Sequence, residues 1–222
     1  MKKFRHELKH YINPLDHAEL SCKLKALLKP DENAAKGHYL VKSLYFDNYE
    51  DKVLREKVNG YLYREKFRLR LYDSNNSFIK LERRMKLNGL CHKASARITE
   101  SHCERLLLGD YGVLKEIDSS VAAELYAKIG YQLLRPKSIV EYHREAYVYK
   151  AGNVRITIDS DIRASNQPDR FLSEKSLSFR PSKETILEVK YDEFIPQFIK
   201  DIIQIHSRQT AAFSKYAAAR II

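Results

Sequence analysis

Charged and apolar residues alternate through "YREKFRLRLY", residues 63–72. Arg64, Lys66, Arg68 and Arg70 fall on one side of a two-residue period, with Phe67, Leu69 and Leu71 on the other. The same period recurs in other segments. Arg5, Glu7 and Lys9 share a face of "KFRHELKHYI" (3–12). Lys80, Glu82, Arg84 and Lys86 oppose Ile79, Leu81 and Met85 in "SFIKLERRMK" (77–86). Arg155, Thr157 and Asp159 oppose Val154, Ile156 and Ile158 in "NVRITID" (153–159). Glu188 and Lys190 oppose Leu187, Val189 and Tyr191 in "TILEVKYD" (185–192). Arg144 shares a face with Tyr142 and Ala146, so "SIVEYHREAYVYK" (138–150) alternates less cleanly. With the aromatic, β-branched "HYLVKSLYFDN" (38–48), these segments are predicted strands.

Helical spacing appears elsewhere. "PLDHAELSCKLKALLK" (14–29) carries Leu20, Leu24, Leu27 and Leu28 on one side and is stopped by Pro30. A short charged helix is predicted near 49–58. "TESHCERLLLG" (99–109) opens on a Thr cap and ends at a glycine, and "SSVAAELYAKIGYQL" (119–133) follows. Two more helices close the chain, at 195–206 and 214–222. "SNN" (74–76) reads as a hairpin connection, and the polar stretch 166–176 as the least structured part. No repeat or long linker divides the 222 residues, so one α+β domain spanning 1–222 is expected, built of antiparallel hairpins with interspersed helices.

Charge changes this picture. Four cations about 7 Å apart along one strand face repel by about 2 kcal/mol per neighbouring pair at an effective dielectric near 20. Water on an exposed face can absorb that, and so can a bound polyanion. The faces are rich in Arg with single Glu residues among them, and several helices are available to cover the apolar faces. If the helices pack outside, the sheet can close into an antiparallel β-barrel or tunnel with a charged interior. The carboxylates inside would then be ligands for Mg²⁺ or Mn²⁺ bridging to phosphate. Forty Lys and Arg against 29 Asp and Glu, a net charge of +11 and a pI near 9.4, point to the same class of partner.

Three cysteines without CxxC spacing argue against a disulfide framework or a zinc site. No signal peptide or membrane-spanning run is present, so a soluble cytoplasmic protein is expected. The absence of a GxxxxGK[ST] loop means that any ATP must be bound by the charged faces themselves.

In order, "FRHELKHYI", "VKSLYFDN", "LREKVNG", "FRLRLY", "IKLERRMKLNG", "YHREAY", "VRITID", "ILEVKY" and "FSKY" resemble the polyphosphate polymerase (VTC) domain family. That family lies within the triphosphate tunnel metalloenzyme (CYTH-like) superfamily, and the resemblance runs from about residue 3 to residue 217. It implies a tunnel of antiparallel strands and transfer of the γ-phosphoryl group of ATP to a growing polyphosphate chain, with Mn²⁺ or Mg²⁺. It further implies phosphate binding by Lys9, Arg55, Arg68, Arg70, Arg84, Arg144, Arg155, Lys190 and Lys215. Arg83 is the alternative to Arg84. Glu188 resembles the metal-binding glutamate, with Glu7 and Glu82 as supporting ligands; Arg68, Arg70, Glu188 and Lys190 are the expected catalytic set. A lysine often found three residues before the "SKY" lysine is Ala212 here, with Arg208 one turn earlier. A triphosphatase of the same fold, or a non-catalytic module binding polyphosphate or RNA through some of the fifteen tyrosines, are the competing readings. No DNA partner is expected, and the oligomeric state is left open.

Overall fold

The fold is a single curled sheet with helices on its outer face, seen in a computed structural model that describes residues 4–32, 37–175, 177, 179–204 and 212–220. In chain order the elements are β1 (His6–Ile12), α1 (Pro14–Leu27), β2 (Lys29–Pro30), β3 (Tyr39–Asp47), α2 (Lys52–Val58), β4 (Tyr63–Tyr72), β5 (Ile79–Leu87) and β6 (Leu90–Ile98). They continue with α3 (Glu100–Leu107), α4 (Ser120–Tyr131), β7 (Arg135–Tyr149), β8 (Val154–Ser165), β9 (Thr185–Tyr191), α5 (Gln197–Ile203) and α6 (Lys215–Arg220). Strand order is β1-β9-β8-β7-β3-β4-β5-β6, every pairing antiparallel, with β2 beside β7.

Alternation along each strand sorts side chains onto two faces. The outer face is apolar and covered in two places. Leu44, Phe67, Leu69, Leu81 and Ile139 pack under α3 and α4, meeting Cys103, Leu106, Val121 and Leu125. Ile156, Ile158, Leu187 and Val189 pack under α1 and α5, meeting Leu20, Leu24 and Ile199. A third cluster closes one end of the inner face, where Tyr45, Val140 and Tyr142 meet Val53 of α2 and Tyr216 of α6.

Local signals explain the element ends. Asn13 and Asp16 form a capping box ahead of α1. The Thr99 hydroxyl accepts from His102 N at 3.1 Å to open α3, and Gly109, at φ 89°, follows its end.

Several expectations change. Segment 90–98 is a strand, β6, that its sequence does not announce. "LCHKASARI" has small or polar residues on both faces, and Asn88–Gly89 supplies the tight turn into it at positive φ. Strand β8 continues to Ser165, past an irregularity in its pairing with β7 near Asp161, which sits at φ 49°. Leu27 is 58% exposed because α1 ends there; Pro30 joins β7 in the two-residue β2. The polar stretch after β8 folds instead of running free: a 3₁₀ turn over Pro168–Leu172 buries Phe171 in the outer core, and Lys42 Nζ donates to Ser173 O at 2.6 Å.

The sheet is not closed into a barrel by a continuous ladder. It is a curled sheet whose edges, β1 and β6, meet among the described residues at one bridging pair, Arg5 and Cys91. No helix among the described residues is long and apolar enough to cross a membrane.

Candidate functional site

The inner face of the curl carries the charged positions read from the sequence, and they enclose two abutting chambers. Chamber one, about 550 Å³, is lined by Glu7 and Lys9 of β1, Arg64, Glu65, Lys66, Arg68 and Arg70 of β4, Arg84 and Lys86 of β5, Arg144 of β7, Glu188 and Lys190 of β9, Lys57 of α2 and Lys215 of α6. Chamber two, about 650 Å³, is lined by Tyr39, Tyr72, Phe78, Lys80, Lys93 and Arg155. Glu7, Arg70, Arg84, Cys91, Arg144 and Lys190 line both and form the waist.

Much of this charge is compensated within the wall. Arg68 donates through Nε (2.8 Å) and Nη2 (2.5 Å) to Glu82 Oε2, and Lys93 Nζ lies 2.5 Å from Glu82 Oε1. Arg144 makes a bidentate pair with Asp159 at 2.6 and 2.7 Å, and Lys215 Nζ reaches the same carboxylate at 2.5 Å. Arg70 instead donates to the hydroxyls of Ser43 (3.0 Å) and Tyr142 (2.9 Å). Lys9 Nζ sits 3.0 Å from Glu7 and 3.7 Å from Glu188, which is also paired with Lys190.

Burial and Glu188 push the Glu7 carboxyl up, but Lys9, Lys190 and Arg84 outweigh them and hold it at about 2. Glu188 is likewise held well below the carboxylate range: Lys190, Lys9, Lys215 and Arg144 overcome its burial. Both carboxylates are therefore charged at neutral pH.

Five cations of chamber one are uncompensated. Lys57, Arg64, Lys66, Arg84 and Lys86 have no hydrogen-bond or ion-pair partner among the described residues; Lys66 Nζ only overhangs the Tyr45 ring at 5.5 Å. Burial, with Lys9, Arg68 and Arg84 adding to it, pushes the Lys66 ammonium down to about 8 against the pull of Tyr45. Of the cations that line chamber two and not chamber one, Arg155 pairs with Asp31, Lys93 pairs with Glu82, and Lys80 lies over the rings of Phe78 and Tyr72. Chamber one is thus the part of the tunnel built for added negative charge.

The fold brings Lys9, Arg68, Arg70, Arg84, Arg144, Lys190, Lys215, Glu7 and Glu188 together in chamber one, and places Arg155 in chamber two. It does not bring Arg55 there. On the seven-residue α2, Val53 and Lys57 share the inward side, so Arg55 points out, 57% exposed and bonded to Glu50 at 3.0 Å. Lys57 takes the place in the chamber expected of Arg55. Glu82 faces neither cavity: it is fully buried, and its oxygens are committed to Arg68 and Lys93, which leaves none for a metal. Strand parity decides between Arg83 and Arg84. Arg84 lines both chambers, whereas Arg83 lies on the outer face against Glu65 (3.2 Å) and Glu124 (2.7 Å). Arg208 lies outside the described residues.

This parity gives a paired prediction. Arg84→Ala is expected to weaken binding of inorganic triphosphate about tenfold, the loss of one charge-assisted contact, with little change in melting temperature. Arg83→Ala is expected to leave affinity within about twofold while costing about 1 kcal/mol of stability, since Glu65 keeps Lys128 and Glu124 is partly exposed. Calorimetric titration beside thermal melts checks both.

The candidate site residues missed by sequence reasoning are Lys57, Arg64, Lys66 and Lys86, which line chamber one, and Asp159. Alternation places it on the charged face, yet nothing in the sequence reveals that it anchors both Arg144 and Lys215. Tyr45 and Tyr142 are buried, and their hydroxyls accept from Arg68 and Arg70.

Among the described residues no three acidic, histidine or cysteine side chains gather as a metal-binding group. Of the described carboxylates lining chamber one, Glu65 is bonded to Lys128 and Arg83, which leaves Glu7 and Glu188 as the candidate metal donors. Two hard oxygen donors in a cavity lined by unpaired cations are the donor type that hard divalent cations such as Mg²⁺ or Mn²⁺ take.

Solved structures share this architecture at low identity. One from Hippeastrum, a putative adenylyl cyclase with a dominant triphosphatase activity, superposes with a TM-score of 0.58 at 15% identity, covering 98% of this chain and 95% of that one. A putative adenylate cyclase from Bacillus halodurans gives 0.54 at 10% identity, covering 85% and 81%. A protein from Pyrococcus horikoshii gives 0.51 at 12% identity, covering 96% of each chain. No curated protein matches the sequence. The model of the VTC domain matches residues 4–221, nearly every residue that shapes the tunnel. With its charged strand faces turned inward on that fold, the chain belongs to the VTC domain family.

Proposed function

We propose that this domain is a metal-dependent phosphotransferase that moves the γ-phosphoryl group of ATP onto the end of a polyphosphate chain. The observation that carries the reading is the cluster of five uncompensated cations beside a retained carboxylate pair in chamber one. Arg64, Lys66, Arg84, Lys86 and Lys57 would bind and align phosphate oxygens, with Arg68 and Arg70 held in place behind them by Glu82, Ser43 and Tyr142. Positioning and charge stabilisation are most of what phosphoryl transfer needs. Glu188 and Glu7 would hold Mg²⁺ or Mn²⁺, which neutralises charge on the transferred group when bound. A polyphosphate terminus is already anionic and needs no general base, and the two abutting chambers give donor and acceptor separate room.

Hydrolysis of triphosphate is the second reading, favoured by the dominant triphosphatase activity of the Hippeastrum protein that shares this fold, with water taking the place of the polyphosphate acceptor. Incubation with ATP and Mn²⁺, with and without a short polyphosphate primer, separates the two by gel and phosphorus NMR. Primer-stimulated long chains are the expected result. Orthophosphate alone would replace transfer with hydrolysis, and absence of any metal-dependent turnover would leave a polyanion-binding module.

A further inference from the structure

Two turns meet at one end of chamber one and present apolar side chains to solvent. Gly60, at φ 71°, turns the chain from α2 into β4, and Asn88 N of the β5–β6 turn donates to Leu62 O at 3.2 Å. Tyr63 and Leu87 pair across β4 and β5 next to that bond. The tip so formed exposes Val58 (65%), Tyr61 (56%) and Leu62 (72%), and Tyr63 and Leu87 are exposed beside them. Farther along the same two strands, Phe67, Leu69, Ile79 and Leu81 are almost fully buried. A contiguous group of large apolar side chains left in water marks an interaction surface.

The charge beside the tip says what it meets. Lys57, Arg64 and Lys86 are chain neighbours of Val58, Tyr63 and Leu87, and none has a partner among the described residues. All three line chamber one and not chamber two, which puts them at the end away from the waist. The acids close by in the chain are already paired, Glu56 with Lys52 and Glu50 with Arg55. An anionic lipid surface suits this arrangement. Leucine and valine enter the acyl boundary, tyrosine rings sit at headgroup level, and cations pair with lipid phosphates. A second copy suits it poorly, because a twofold contact through the tip sets the same unpaired cations against their own copies. A stable protein interface engages about 20–30 residues a side, far more than this tip offers.

We propose that the tip is a membrane-docking site. Val58 and Leu62 insert at the acyl boundary of an anionic bilayer, Tyr61 and Tyr63 lie among the headgroups, and the outer end of chamber one is held at the lipid surface. Lys9 and the segment Ala212–Ser214 line the same chamber and take no part in the contact, which leaves a polyphosphate end its way in. The inference goes beyond the transfer reading, since the lipid is neither donor nor acceptor.

The chain has no tryptophan, so Leu62→Trp places a single indole on the tip of the full chain. Its emission is expected to shift to the blue on phosphatidylcholine vesicles that contain phosphatidylglycerol, and to be quenched by lipids brominated on their acyl chains. Vesicles of phosphatidylcholine alone should leave it nearly unchanged. Co-sedimentation of the wild type with the mixed vesicles should weaken about thirtyfold in Leu62→Ser, the loss of one buried leucine. Triphosphate affinity of Leu62→Ser in solution should stay at the wild-type value. Lys86→Gln should weaken vesicle binding about fivefold and flatten its dependence on salt.

Wild type that stays in solution beside the mixed vesicles overturns the proposal, and its triphosphate affinity then judges the polyanion reading separately. Vesicle binding that survives Leu62→Ser, or that leaves the indole unshifted, means that another part of this basic surface meets the lipid and also overturns it. Self-association that Leu62→Ser abolishes in sedimentation velocity, without vesicle binding, would make a second copy the occupant instead. If Leu62→Trp does not fold, Tyr61→Trp reports from the adjacent exposed position.

Discussion

Glu188→Gln is expected to reduce metal-dependent ATP turnover by about a thousandfold and, with metal absent, to tighten binding of triphosphate. The two effects separate because the carboxylate has two neighbours to satisfy. Toward a metal it is, with Glu7, one of the two described chamber-one carboxylates that are not tied to Arg83 and Lys128 as Glu65 is, and losing such a stabilising group typically costs two to three orders of magnitude in rate. Toward phosphate it is a competitor, since it already occupies Lys190 and shares Lys9 with Glu7. Glutamine frees those lysines for the ligand. The same change strands buried cations, so the phosphate-free variant should lose about 3 kcal/mol of stability. Triphosphate at about a hundred times its dissociation constant returns about 2.7 kcal/mol, enough to restore most of the melting temperature. Glu188 titrates well below the carboxylate range, so its contribution to stability is complete above the ordinary carboxylate pKa and is lost as pH falls through its depressed folded value. That part of the acid limb should be missing from the variant. Unchanged turnover in Glu188→Gln would remove the carboxylate from the metal's coordination.

Period-two alternation made the strand faces of β1, β4, β5, β8 and β9 legible, because a residue's parity fixes its face wherever one side is buried. Inward or outward was not legible from any one strand. It followed from the helices, whose apolar faces needed the outer side of the sheet. Strand β6 escaped because Ala94, Ser95 and Ala96 alternate in size and hardly in polarity. The 3₁₀ turn with Phe171 escaped because a single aromatic residue in a polar stretch has no period to read.

The site was legible to the same depth. Parity places Arg68, Arg70, Glu188 and Lys190 together, and Glu82 shares a face with Arg84, yet only tertiary packing reveals that Arg68 and Lys93 consume Glu82. Arg55 against Lys57 was a helix-face question on seven residues, too short a helix for its own pattern to decide. The division between paired and unpaired cations, which singles out chamber one, exists only in three dimensions.

That division also sets how the site should respond to pH. Without phosphate, burial and neighbouring cations hold Lys66 at about 8, below the ordinary lysine value of 10.5. Burial raises the Tyr45 phenol, but Arg68, Lys66 and Arg70 more than reverse this and bring it to about 7. A bound triphosphate favours the protonated form of both: it pairs with the Lys66 ammonium and repels a Tyr45 phenolate. Binding must therefore take up protons above pH 7, and metal-free affinity must fall as pH rises. For Lys66 alone the fall between pH 7 and pH 9 is about tenfold, one decade per unit once pH exceeds the free-state value. Tyr45 acts in the same direction, beginning about one unit lower and continuing above it. Stability of the phosphate-free protein moves oppositely. A lysine depressed in the fold destabilises it while charged, so its penalty is present below pH 8 and is relieved between pH 8 and the unfolded value of 10.5. Lys66→Met is expected to start with weaker binding and to lose most of the decline above pH 8, and Tyr45→Phe to lose the part below it. Calorimetry at fixed ionic strength, in buffers of different ionisation enthalpy, counts the protons directly. Affinity that stays flat from pH 6 to pH 9 in the wild type would mean that phosphate does not reach the Lys66–Tyr45 end of chamber one.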